Sequence, residues 1–195
     1  MNTQRKAIYR KRRNALYGDM LDIDVDNMIY DLCDNTVYKN ENSNYQDFEI
    51  DLVRVLGIAS PIEDSEFADL NKDELVNKVY DRTRSKYERK CEKIATKGMP
   101  QIKHVYETMS EKYKNIVFPL SDGKREMRLI VNLEDAYNTE GKNISKSFEK
   151  NVILSKIDEE WKEHLREMDD LRSAVNNATY EQKDPLVIYK LESYD

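Results

Sequence analysis

Apolar residues at Leu154, Ile157, Trp161, Leu165, Met168, Leu171 and Val175 recur every three or four positions, the spacing that gathers them on one side of an α-helix. The other faces carry Asp158, Lys162, Arg166 and Asp170 at steps of four. The outer pairs attract while Lys162 and Arg166 repel, so local charge gives little support and packing must hold the helix. The period breaks at Asn176-Asn177-Ala178-Thr179, residues that favour caps and turns, and Asp184-Pro185 suits the opening of a second helix. The pattern predicts a C-terminal helical hairpin with Tyr180 near its tip.

The middle of the chain predicts shorter helices and one β-hairpin. Asn44 precedes Phe48, Leu52, Val55 and Leu56, and Gly57 follows, marking a short helix with its cap and stop. Asn71 and Glu74 open a longer amphipathic run through Leu75, Val76, Val79, Tyr80, Tyr87 and Cys91, expected to end near Gly98. Pro100 then starts another, bearing Ile102, Val105, Tyr106, Met109 and Tyr113. Their tyrosines and methionines read as core rather than as a binding stripe. Ile116-Val117-Phe118 and the alternating Met127, Leu129, Val131 and Leu133 flank Asp122-Gly123, a hairpin signal. The fold class is therefore mainly α, with a small β-hairpin near 116–133.

Composition fits long regular segments with few breaks: 36% of residues are charged, and glycine and proline together make nine of 195. Mean hydropathy is -0.86, and no apolar run has the length to span a bilayer. Arg5 to Arg13 is followed by neither an apolar stretch nor a small-residue cleavage site, so this start does not read as a signal peptide. Cys33 and Cys91 are the only cysteines. Far apart in sequence, they suit a reducing compartment and offer no paired zinc-ligand spacing.

Charge is segregated within a total of -6. Arg5, Lys6, Arg10, Lys11, Arg12 and Arg13 crowd a segment without acids, and Asp19, Asp22, Asp24, Asp26, Asp31 and Asp34 crowd the next without bases. The basic block could serve as a nucleic-acid arm, a solvated helix face or a docking surface, but only Tyr9 and Tyr17 accompany it as aromatics. No nucleic-acid partner is expected. The acidic block does not make a calcium loop, because Asn27 stands where glycine is needed and Cys33 where a bidentate glutamate belongs. Ile23 and Val25 between the acids suit a linker that lays one side on protein.

The five glycines, at 18, 57, 98, 123 and 141, never fall together in a phosphate-cradling loop. His104 and His164 sit in no metal or triad pattern. His164, on the flank of the apolar stripe beside Leu165, reads as a packed or capping residue. No catalytic, cofactor-binding or metal residue is assigned. Two glycosylation sequons, at Asn143 and Asn177, are taken as chance.

Ile157-Asp158 through Trp161-Lys162-Glu163-His164-Leu165, then Met168-Asp169-Asp170-Leu171-Arg172, then Tyr180-Glu181-Gln182-Lys183-Asp184-Pro185 to Glu192 form a long ordered string. It resembles the two-helix finger of SecA, the ATP-driven motor family of bacterial protein export. Gln4-Arg5-Lys6-Ala7-Ile8-Tyr9 and Arg12 resemble the last part of that family's long scaffold helix, and the matches occur in the family's order. Residues 35 to 145 carry no matched motif and take the place of its helical wing. The resemblance implies the end of the scaffold helix and a linker over 1–34, a helical wing with an inserted hairpin over 35–145, and a finger over 146–195 with its second helix cut short.

It further implies a lever without its engine. Motor domains of the same polypeptide would bind ATP and Mg, while this part, itself without cofactor or enzymatic activity, would help push unfolded preprotein through the SecYEG channel. Its place would be cytoplasmic, peripheral on the inner face of the membrane. Tyr180 matches the aromatic at the family's fingertip, where an amphipathic ring can press on many sequences without selecting one. Relatives carry leucine, arginine and a small residue just before that tyrosine. Asn177, Ala178 and Thr179 stand here instead, and the basic group is missing. Scaffold faces around Trp161 and Leu165 are expected to self-associate when their usual partners are gone. The other reading is an independent helical adaptor that docks protein partners through its amphipathic stripes, with the basic arm for an anionic one.

Overall fold

A computed structural model describes residues 2–18, 20–67, 69–121, 123–124 and 126–177. Among the described residues, seven α-helices and two strands run in the order α1 (Asn2–Tyr17), α2 (Leu21–Lys39), α3 (Tyr45–Asp51), α4 (Asp64–Phe67), α5 (Lys72–Met109), β1 (Asn115–Ser121), β2 (Glu126–Asn132), α6 (Leu133–Asn138) and α7 (Asn143–Asn177). The chain divides into two compact units. The first comprises residues 1–19 and 151–195, the second residues 20–150.

The second unit is organised by α5 and holds two apolar clusters. Cys33 and Val37 of α2, Phe48 of α3, and Leu75, Val76 and Val79 of α5 form the first, with Ile58 and Ile62 from the loop between. Phe67 stacks on Phe48 at 4.9 Å between ring centroids. Ile102 of α5, Phe118, Leu129 and Val131 of the hairpin, Leu133 and Ala136 of α6 and Ile144 of α7 form the second.

Local chemistry sets most of the element ends. The side-chain oxygens of Asn44 and Asn71 accept from the N–H groups of Asp47 and Glu74, as N-caps do. After α3 the helix widens into one π-helical turn over Leu52–Leu56, and the N–H of Gly57, at φ 66°, donates to the Leu52 carbonyl. The strands pair antiparallel in a register that sets Phe118 against Leu129 and Val117 against Ile130. Phe118 and Leu129 are buried, while Val117 and Ile130 face outward.

Three expectations require correction. The helix predicted to end near Gly98 and the one predicted to start at Pro100 are a single α5 with Pro100 inside it. Proline removes one hydrogen bond and crowds the preceding turn. Burial on both sides outweighs that: Ala95, Gly98 and Ile102 are buried in succession. Gly98 lets the neighbours approach closely: an added Cβ would lie 2.8 Å from Ile144 Cδ1 and 3.2 Å from Phe118 Cε1, so those side chains would have to shift. The acidic stretch expected to be a linker lies largely on α2, where Lys146 meets Asp22 at 3.0 Å and Arg84 meets Asp26. Alternation predicted Leu133 as strand, but it opens α6, because Asn132 caps that helix by accepting from the Asp135 N–H.

Candidate functional site

The predicted fingertip residue Tyr180 lies outside the described residues, as do Ala178, Thr179 and the second arm of the predicted hairpin. The first arm is described, and residues 151–175 are helical throughout as part of α7. Along that stretch Met168 and Val175 are buried, and Leu154, Ile157, Trp161, Leu165 and Leu171 are half-buried. The three-to-four spacing thus does mark one sheltered side. Trp161 and His164 stack with ring centroids 5.4 Å apart, which places His164 in an aromatic contact.

Within the first unit a two-pronged ion pair joins α1 to α7. Arg12 Nε donates to Asp158 Oδ1 at 2.7 Å and its Nη2 to Oδ2 at 3.2 Å. The guanidinium holds the Asp158 carboxyl below its ordinary range, and the carboxylate raises Arg12 in turn. Two-pronged geometry fixes direction as well as distance. One member of the basic arm is therefore engaged inside the unit, and Arg13 lies 5.7 Å from the Tyr17 ring. Glu163 with Arg166, and Glu159 with Lys156, pair along the exposed side of α7.

The second unit contains a cleft of about 870 Å³ between α5 and the first turns of α7, lined by Tyr87, Cys91, Ala95 and Met99 from one and Ser145 and Glu149 from the other. Tyr87 donates its hydroxyl to Glu149 Oε1. Burial first, and then this bond, push the Tyr87 phenol above its usual range, so it remains a donor. Ser145 Oγ and Glu149 Oε2 are buried without a hydrogen-bond partner among the described residues. This cluster was missed because the two residues are 62 positions apart and no local spacing connects them. Burial also raises the Cys33 thiol above its ordinary value, and Cys33 donates to Thr83 Oγ1 at 3.7 Å.

One unit carries a long helical stretch with a sheltered stripe, and the other is a helical body with an inserted hairpin; each is built from extended helices, as scaffold-type proteins are. Residues 1–195 match the family model described as the SecA wing and scaffold domain, and the chain belongs to that family. It is 45% identical over 193 residues, 99% of its length, to the protein translocase subunit SecA of Bacteroides fragilis, of which it covers 17%. It is also 45% identical over 196 residues to the protein of the same name from Porphyromonas gingivalis strain W83. The relative from Flavobacterium psychrophilum is 39% identical over 195 residues. The chain thus spans 17–18% of the length of the curated relatives it matches. No solved structure matches it.

Proposed function

We propose that this chain is the lever of a protein-export motor: scaffold end, wing and two-helix finger, driven by ATP hydrolysis in motor domains of the same polypeptide. Those domains would hold ATP and Mg. The finger would press unfolded preprotein toward the SecYEG channel from the cytoplasmic face of the membrane, with the Tyr180 ring as the polypeptide contact. Family membership across all 195 residues carries the reading. The continuous helix α7 supports it, because a pushing element must transmit force without buckling and a hydrogen-bonded α-helix is suited to that.

The experiment acts on Tyr180 in the full-length protein. Cysteine placed there crosslinks to a stalled preprotein, and Tyr180→Ala slows transport more than it slows ATP turnover. Equal export rates for wild type and Tyr180→Ala remove the fingertip assignment. ATP turnover by the 195-residue chain alone would remove the division into lever and engine.

A further inference from the structure

Helix α5 changes character halfway along one side. Leu75 and Val79 belong to the first apolar cluster, and a step of seven residues returns nearly to the same side of a helix. Seven on from Leu75 come Arg82 and then Arg89, and seven on from Val79 come Lys86 and then Lys93. The seam that is core in one heptad is cationic in the next two. Lys90 joins these four around a recess of about 310 Å³ beside Ile58 and Ala59, with no acid in its lining. Arg82, Lys86, Lys90 and Lys93 enter no ion pair among the described residues, and Arg89 Nε donates only to the Ser85 carbonyl at 3.2 Å. Cations at 82/86, 86/90 and 89/93 are four apart and repel one another. Such an arrangement lowers helix stability, and an anionic occupant would reverse that.

We propose that this basic seam of α5 is a docking site for an acidic polypeptide segment in extended form. Residues 82 to 93 cover about 16 Å of helix axis, with successive cations of the seam roughly 4.5–6 Å apart. Alternate side chains of an extended strand recur at about 6.6–6.8 Å, within the adjustment of long lysine and arginine side chains, so carboxylates at every second position meet successive cations. Other anionic partners fit less well. No aromatic ring lines the recess to stack on bases. Ile58, its one large apolar residue, is 2% exposed, leaving no hydrophobic group to enter a bilayer. The proposal is independent of the function proposed for Tyr180.

The test is fluorescence anisotropy with the 195-residue chain and a labelled twelve-residue peptide alternating glutamate and serine, in low and moderate salt. The peptide binds, weakens as salt rises, and binds at least tenfold more weakly to Lys86→Glu/Lys93→Glu. A peptide with lysine in place of glutamate regains affinity for that reversed protein. Lys86→Gln/Lys93→Gln, with helicity checked by circular dichroism, provides a milder second variant and shows an intermediate loss. Binding no stronger than that of a glutamine-serine peptide overturns the proposal, as does equal affinity for wild type and the reversed protein. Tighter binding of oligouridylate or phosphatidylglycerol vesicles, lost in the same variants, would overturn it in favour of those partners.

Discussion

The two units are held in different ways. Residues 20–150 contain two apolar clusters, with Phe48, Leu52, Ile102, Leu129 and Ile144 fully enclosed. Among the described residues of the first unit, Ala15, Met168 and Val175 are the buried apolar ones, and the exposed Arg12–Asp158 pair links its two helices. Burying a large aliphatic or aromatic side chain contributes about 1.5–3 kcal/mol, whereas an exposed ion pair contributes little. The second unit therefore has the means to fix its own shape. The first unit presents long faces with few enclosed side chains among its described residues.

The comparison breaks most readily at Phe48. Phe48→Ala opens a void between α2, α3 and α5 and removes the stack on Phe67, and is expected to cost about 3–5 kcal/mol, read as a lower urea midpoint for the second unit. An unchanged midpoint would mean that the first cluster is not the stabilising one. Gly141→Ala comes next. Gly141 sits at φ 81° with its would-be Cβ 3.0 Å from the Ala95 carbonyl oxygen, and left-handed backbone alone costs a residue with a side chain about 1–2 kcal/mol. The substitution should lower the same midpoint by that amount or more.

The smallest effect belongs to the first unit. The Asp158 carboxyl is held below its ordinary range by Arg12. Its contribution is therefore complete above the unfolded carboxylate range and disappears as pH falls through the lowered value. Wild type should melt slightly above Asp158→Asn at neutral pH, and the gap should close in acid and narrow in salt. A gap that widened in acid would reverse the sign assigned to this pair.

Much of the wing was legible because its signals are local. Asn44 and Asn71 each cap the helix that follows, and Gly57 stops one where spacing said it would. Gly123 lies between the two antiparallel strands that the Asp122-Gly123 signal predicted. What failed involved competition between local and distant forces. Pro100 argued for a break, but contacts from Phe118 and Ile144, supplied by segments 18 and 44 residues away from it, keep α5 whole. The Asn132 cap was readable from Asp135 three positions on and was overlooked in favour of alternation. Tyr87 with Glu149, and the cationic heptads of α5, form no short motif. The second becomes visible only when the apolar seam is followed past the point where it stops being apolar. The fingertip, legible as a family string, depends on Tyr180 beyond the described residues.

The hairpin also carries a safeguard against pairing with stray strands. A two-stranded sheet has two open borders, and Val117 beside Ile130 would make an inviting template for stray strands. Pro119 in β1 has no amide hydrogen to offer, and directly across from it stands the charged Arg128. The proline leaves β1 one donor short, and the charged side chain on β2 makes its border a poorer template, both devices that discourage edge-to-edge pairing.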